Sequence, residues 1–462
     1  MSARVAVVGG GVAGLAAAQR LVERGVTDCV LFEAGDRLGG SIATERSGGF
    51  TIEAGADSFL TEKPWAAELC ERLGVPLVGT REGERRTYVV HDGRIEPLPE
   101  GFLLLAPTDL GALAVSPLFS WRGKLRMALD LVLPCGADAA DESLAHFVRR
   151  RFGREALERA AEPLAGGIYT ADAERLSLRA TMPRFRELER KYRSVIRGLR
   201  AEAGAIKAAG ARYSLFAAPA DGMGALVEAL ARRLREGVRL RSPVGELARD
   251  GATWRLRAGG EVLAADALVL AAPARALAPL LAPLDAQLGR LLGEIEYASS
   301  ATVTLAYRSA DVSGARGFGF VVPAVERHAL IACTYASRKF PGRAPEGHEL
   351  VRAFVGGALR ADVLARDDGA LVGVVRDELR DLVGITAAPE LTRVHRHRLA
   401  MPQYAVGHLE RVAAIEARAA ALPALALAGA AYRGVGVPDC VRSGAAAADY
   451  VLEEHPWQRA EA

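Results

Sequence analysis

Cysteine is scarce in this chain: Cys29, Cys70, Cys135, Cys333 and Cys440 are the only five in 462 residues. They are odd in number and scattered, and no C-x-x-C occurs. That excludes a disulfide framework and a thiolate zinc site, and it fits a reducing compartment. No uninterrupted run of about 18 apolar residues is present, so no membrane span is expected. The formal net charge is only +3, and no block of like charge exists, which gives no argument for a nucleic-acid partner or a charged tail. The eight histidines form no metal-ligand pattern. His395 and His397 alternate with arginines and read as one face of a strand, so no metal is expected. The first strand begins near residue 4, which leaves no room for a signal peptide. Repeats and low-complexity linkers are also missing. What remains is ordinary globular usage in a chain long enough for two or more domains.

The first forty residues carry the strongest signal. Arg4 to Val8 is a short apolar, β-branched run and reads as a buried parallel strand. Gly9, Gly11 and Gly14 follow in the spacing G-x-G-x-x-G, and Val12 to Arg24 reads as an Ala/Leu-rich helix. Gly9 permits a tight turn, Gly11 lets a pyrophosphate approach the backbone, and Gly14 lets the helix pack closely on the strand. The helix start offers free N–H groups and a positive dipole end to phosphates. A second strand, Asp28 to Phe32, ends at Glu33, where an acid hydrogen-bonds a ribose hydroxyl. The plain alternative is a Gly-rich turn without a nucleotide; strand, helix and acid in the fingerprint's order argue against it. Gly9, Gly10, Gly11, Val12, Ala13, Gly14 and Glu33 are the candidate contacts.

Ala34-Gly-Asp-Arg37-Leu-Gly39-Gly40-Ser41 then resembles the second glycine motif of the flavin-dependent amine oxidase and desaturase superfamily. The resemblance implies FAD, not NAD, with Ala34, Arg37, Gly39, Gly40 and Ser41 near the flavin's phosphates and ring. Gly48 to Leu60 reads as a strand feeding a turn. By the same resemblance Gly55, Ala56, Asp57 and Ser58 lie under the isoalloxazine ring, while Asp57 or Ser58 also suits a helix N-cap.

Pro64 to Leu73 reads as an amphipathic helix closed by Gly74. Arg86 to Pro99 reads as a hairpin turning at Asp92-Gly93. From Phe102 helical periodicity dominates to about Arg212, with Trp121, Arg122, Lys124 and Arg126 interleaving an aromatic with cations. Either one face of these helices lies on a membrane surface, or they are simply their own domain's core. The helical pattern breaks at Gly166-Gly167. Tyr213 to Ala218, Leu240 to Leu247, and a hairpin ending in Ala267 to Ala272 read as strands. Tyr297 to Tyr307, Gly317 to Pro323, His328 to Tyr335 and Glu349 to Gly356 make a mostly antiparallel sheet. Ala424 to Gly429 is a last buried strand, and a glycine turn opens an Ala-rich helix that points its dipole at the flavin.

The resemblance extends over nearly the whole chain through Pro163 to Ser177, Gly317 to Pro323, Met401-Pro-Gln-Tyr404-Ala-Val-Gly-His408 and Leu427 to Gly444. These pieces are similar to the oxygen-dependent protoporphyrinogen oxidase family of heme biosynthesis; its coproporphyrinogen III-oxidising relatives share much of the pattern. The resemblance implies a porphyrinogen substrate, three two-electron oxidations, and O2 as acceptor giving hydrogen peroxide. It matches Arg86 to an arginine that pairs with a substrate propionate, with Arg85 beside it as the alternative. It matches Phe318 and Val321 to ring-clamping positions and Gly167, Thr334 and Phe354 to pocket positions. It sets Val244 against the adenine, and Gly429, Val435, Gly436 and Val437 against the flavin. Taken alone, Arg86 would be a solvated charge, and Phe318 and Val321 ordinary strand core.

The expected fold is α/β. Residues 1–85, 213–275 and 423–462 form a Rossmann-type FAD-binding domain. Residues 86–101 and 276–422 form an antiparallel-sheet substrate domain, and 102–212 an inserted helical, membrane-associating domain. Further expectations are a cytoplasmic location with peripheral attachment to the membrane, contact with the next enzyme of the heme pathway, and a homodimer. An amine oxidase would want an aromatic cage where this chain has Val435 and Val437. A non-catalytic carrier of lipid-modified GTPases would have lost the glycines that this chain retains.

Overall fold

The computed structural model describes residues 2–81, 86–136, 141–208, 215–234 and 237–453. Arg85 lies outside them. The first sheet is built around Ser2–Val8, whose Val5, Ala6 and Val7 are fully buried. This strand pairs in parallel with Cys29–Phe32 on one side and with Glu261–Leu270 on the other. Val238–Arg239 extends one edge, and Leu425–Leu427 joins the far side of Glu261–Leu270, both in parallel. Val244–Asp250 and Thr253–Ala258 add an antiparallel meander. Stretches far apart in sequence thus meet in one sheet that is covered on both faces, which is why its central strands are continuous apolar runs.

Helices Val12–Glu23, Gly224–Leu234 and Val437–Glu453 cover one face. Helices Ala274–Leu281, Ala286–Gly293 and His408–Ala419 cover the other. The first and last helices touch backbone to backbone: a Cβ on Gly444 would lie 2.0 Å from the Ala13 carbonyl oxygen. Of Leu240 to Leu247, expected as one strand, residues 240–243 are a break and Val244 to Leu247 opens the strand Val244–Asp250. Arg241 has φ +52°, and its N–H and that of Ser242 turn back to donate to Gly35 and Glu33 carbonyls.

The second sheet runs, edge to edge, through Leu391–Pro402, Tyr297–Arg308, His348–Gly356, Leu330–Tyr335, Gly319–Val321, Tyr88–His91 and Arg94–Pro97. All its pairings are antiparallel except that of Gly319–Val321 with Tyr88–His91. Side chains alternate across it. Val303, Leu305, Phe320, Cys333, Val351 and Ala353 pack under the helix Asp368–Val383. Thr302, Val321, Thr334, Arg352, Phe354, His395 and His397 occupy the opposite face by register.

Between Leu110 and Ala208 the chain is helical, around Phe147, Val148, Phe152 and Phe185. The stretch opens with a small pair of strands, Phe102–Leu103 and Ala106–Pro107. A fully buried ionic cluster pins its helices: Arg151 contacts Asp130 and Glu189, and Asp130 accepts from Ser194 and the Ile196 N–H. The expected break at Gly166-Gly167 is not there. The helix Glu162–Tyr169 runs through the pair and ends two residues beyond it, capped by Thr170 with φ +48°. The glycines do not end the helix because its backbone bonds continue unbroken; they thin one side of it instead. Among the described residues no helix is long and apolar enough to cross a membrane.

Candidate functional site

The nucleotide fingerprint is assembled as the glycine spacing requires. Gly9 has φ +109°, and a Cβ on it would sit 2.8 Å from the Ala271 backbone. A Cβ on Gly14 would lie 1.9 Å from the Gly9 carbonyl oxygen, so helix and strand close on each other there. Gly11 is different: a Cβ on it meets nothing within 4 Å. Gly11 caps the helix Val12–Glu23, whose first turn holds no acid and no side-chain cap. That open space, at free N–H groups and a positive dipole end, fits a pyrophosphate.

Glu33 stands beside it. Its carboxylate accepts from the Gly10 N–H at 2.7 Å and the Gly35 N–H at 2.7 Å, which ties both glycine motifs together and leaves acceptor lone pairs for a ribose. The Gly39 N–H donates to the Gly10 carbonyl at 2.8 Å, so the second motif lies directly on the first. Arg37 donates to the Gly40 carbonyl at 2.7 Å and the Ile42 carbonyl at 3.1 Å; it shapes the Gly39–Ser41 turn. Val244 opens its strand two residues after Ser242, whose N–H bonds the Glu33 carbonyl, so it lies on the Glu33 side of the glycine cradle. Gly429 has φ +115° and is fixed by Ser443 Oγ at 3.0 Å.

Gly55 to Ser58 is held from below by residues that sequence reasoning did not single out. The Ala54 carbonyl accepts from Thr302 Oγ1 at 3.0 Å, His397 Nε2 at 2.8 Å and Arg352 at 3.1 Å. Arg352 also donates to the Gly55 carbonyl and stacks on Phe354 at 4.8 Å. Lys339 Nζ sits 3.1 Å from both Asp57 oxygens, and Ser58 donates to the same carboxylate. Burial pushes the Asp57 carboxyl up, but Lys339 and Arg352 outweigh it and bring it down to about 2. Burial drives the His397 imidazole below its usual range, so it is neutral. The signal for Arg352 was its phase: it alternates with buried apolar residues in His348–Gly356.

The far side of the site comes from the helical insertion and the last helix. Val321 and Val435 both pack on the helical core, together with Tyr169. A Cβ on Gly167 would lie 3.8 Å from Val321 Cγ1, so the thinned side of that helix faces the strand. Thr334 and Phe354 share the face of Val321. Phe318 does not join that row. It precedes the strand, its carbonyl accepts from the Tyr335 N–H at 2.9 Å, and it lines a separate pocket of about 620 Å³ with Arg81, Arg338 and Glu346. Arg86 lies next to Phe318, its carbonyl against Gly317, where the strand Tyr88–His91 runs parallel to Gly319–Val321; its side chain is half exposed and donates to Glu100 at 2.8 Å.

Gly434 has φ +140°, and a Cβ there would lie 2.4 Å from Asp439 Cγ; Gly436 lies against the same carboxylate, at the start of Val437–Glu453. Asp439 is buried and meets Lys63 Nζ at 2.6 Å. The pair was legible only in part: Asp439 belongs to the quoted C-terminal motif, whereas nothing local marks Lys63. His91, Asp92 and Glu326 also cluster, but Glu326 is committed to the Asp92 and Gly93 N–H groups of the hairpin turn.

A parallel sheet with this glycine cradle, joined to an antiparallel sheet and a helical insertion, defines a flavin oxidoreductase. The comparisons agree. Residues 12–452 match the family profile described as flavin containing amine oxidoreductase, and the chain belongs to that family. Its cofactor is therefore FAD. The chain is 35% identical over 460 residues to coproporphyrinogen III oxidase of Bacillus subtilis (strain 168), covering 97% of each. It is 28% identical to the chloroplastic protoporphyrinogen oxidase of Nicotiana tabacum, covering 94% of this chain and 83% of that one. A crystal structure from Exiguobacterium sp. 255-15 superposes with a TM-score of 0.88 at 32% identity, covering 98% of this chain and 99% of that one.

Proposed function

We propose that this chain is an FAD-dependent porphyrinogen oxidase of heme biosynthesis, with coproporphyrinogen III as its first substrate and protoporphyrinogen IX as the second reading. The observation that carries this is the end-to-end similarity to coproporphyrinogen III oxidases, which match at 32–35% identity. The site's chemistry supports the class. Bound FAD supplies a hydride acceptor that O2 can reoxidise, so the protein needs no strong nucleophile. What the chain must do is hold a broad, flat, apolar ring over the cofactor and anchor its carboxylates. Val321, Phe354 and the bare side of Gly167 suit the ring. Arg86 suits a propionate, because its present partner Glu100 is itself largely exposed and easily exchanged.

The deciding experiment is turnover of coproporphyrinogen III and protoporphyrinogen IX side by side, shifted from anaerobic to aerobic buffer. Porphyrin fluorescence and hydrogen peroxide should appear only with oxygen, and faster with coproporphyrinogen. A faster protoporphyrinogen reaction would reverse the substrate order. Oxidation of neither, by yellow FAD-loaded protein, would overturn the reading.

We also infer peripheral contact with a membrane surface. Val115, Trp121, Leu125 and Val132 of the helical insertion are between two-thirds and five-sixths exposed, and Lys124 Nζ lies 4.8 Å over the Trp121 ring. An apolar stripe with a cation at its edge suits the headgroup level.

A further inference from the structure

The Met401–His408 segment has no role in the reading above, yet it sits where three parts of the molecule join. We propose that Tyr404 and His408 are positioning residues for the flavin, clamping the 430–434 turn that leads into Val435-Gly436-Val437. This rests on the FAD assignment and not on the choice of porphyrinogen.

The geometry is specific. The Tyr404 hydroxyl donates to the Ala430 carbonyl at 2.7 Å and accepts from the Gly434 N–H at 2.8 Å, so one phenol closes both ends of the turn. Between those ends, the Tyr432 carbonyl faces His408 Nε2 at 2.8 Å. A carbonyl only accepts, so Nε2 carries the proton. The two rings stack at 3.9 Å with planes 14° apart, and both side chains are buried. Burial pushes the phenol up and the imidazole down, which keeps both neutral and able to make these bonds.

The clamp is anchored from the other side. The Tyr404 carbonyl accepts from the Ser177 N–H at 2.7 Å, and Gln403 Nε2 donates to the Tyr169 carbonyl at 3.3 Å. Tyr169 ends the helix that carries Gly167. The cavity wall and the flavin turn are therefore fastened to the same eight residues. Tyr404 and His408 stand four positions apart in the sequence, and Gly407, at φ +85°, turns the chain into the helix His408–Ala419 and brings the rings together.

Tyr404→Phe keeps the stack and removes the hydroxyl. His408→Gln keeps a neutral donor and serves as the conservative rescue, and His408→Phe keeps the stack alone. For Tyr404→Phe and His408→Phe, FAD affinity of the apoprotein should fall about 5- to 100-fold, the range expected when a buried hydrogen-bond partner is left unpaired. The bound flavin's absorbance bands and reduction potential should shift, while KM for porphyrinogen in FAD-saturated enzyme stays within about twofold. His408→Gln should recover most of the affinity. Apoprotein melting reports general damage: a variant whose apoprotein melts lower while its flavin spectrum and potential are unchanged would overturn the proposal. So would FAD affinity within twofold of the parent for Tyr404→Phe. Loss of porphyrin formation with every substrate, with FAD binding intact in the parent, would overturn the oxidase reading and leave this one standing.

Discussion

At the scale of single residues, Gly11 and Gly14 make opposite demands although they belong to one motif. Space beside Gly11 is empty, and its φ of −69° suits any residue. Gly11→Val should therefore leave the melting of the apoprotein unchanged and weaken FAD binding at least about tenfold, roughly 1.4 kcal/mol. Gly14→Ala puts a methyl 1.9 Å from a carbonyl oxygen. It should destabilise the apoprotein itself by about 1–3 kcal/mol, measured by urea unfolding without flavin. If Gly11→Val unfolded the apoprotein or bound FAD normally, the pyrophosphate assignment would be wrong. Arg86 gives a kinetic counterpart. Its ion pair with Glu100 is exposed and contributes little to stability. Arg86→Ala should leave melting unchanged and raise KM for the porphyrinogen about tenfold with a smaller loss of kcat, because a propionate contact is remote from the reacting carbon. An unaltered KM would reduce Arg86 to surface charge.

At the scale of elements, the helix Glu162–Tyr169 shows what local pattern conveys and what it hides. A glycine pair reads as a breaker because isolated glycines cost a helix about 1 kcal/mol each. Here packing overrides propensity: Gly167 keeps bulk away from Val321, and Gly166 keeps it away from Ile331. Gly167→Leu should then raise the helix's own stability slightly and lower turnover about tenfold or more by filling the slot, read as kcat/KM against melting temperature. Equal activity would place the slot elsewhere. The strands and helices of the flavin sheet were legible because each reports its own burial: Val5 to Val8 is apolar without interruption, and Val12–Glu23 starts directly after Gly9 and Gly11 and carries Gly14 in its first turn. The antiparallel sheet was legible as strands, but its working face was not. Which of two alternating rows lies beneath Gly55 to Ser58 depends on register with distant strands, so Arg352 and His397 stayed hidden; Lys339, at the end of the short helix Ala336–Lys339, has no local mark either. Phe318 was misplaced relative to Val321 for a related reason. Phe318 stands three positions before Val321, and side chains on a strand alternate, so the two fall on opposite faces.

At the scale of the whole molecule, stability against acid follows from groups in separate parts of the fold. Burial pushes Glu189 up, but Arg150 and the Gly136 N–H outweigh it and hold it at about 2, and Asp57 is held at about 2 by Lys339 and Arg352. Both carboxyls sit below their unfolded values, so the unfolded chain takes up protons first. Their stabilisation, each on the order of 2 kcal/mol, is complete above pH about 5 and is lost as pH falls toward 2. Glu53 and Glu162 are pushed up by burial, so they oppose that trend. An earlier loss comes from His395, His397 and His408, all driven below the usual histidine range by burial. They remain neutral in the fold while the unfolded chain protonates below pH about 6.5, so stability should begin to fall there, before Glu189 and Asp57 contribute. Unfolding free energy measured from pH 8 to 4 should decline in two stages, and His408→Gln should shrink the first stage only. A flat profile between pH 7 and 5.5 would mean that water reaches these imidazoles. The insertion's exposed stripe predicts a separate response to surfaces. Sedimentation with anionic vesicles should be substantial for the parent and lost in Trp121→Glu/Leu125→Glu, with FAD content unchanged, because the stripe lies outside the buried cluster of Arg151, Asp130 and Glu189 that holds these helices together. Equal sedimentation of parent and double variant would assign the stripe another partner.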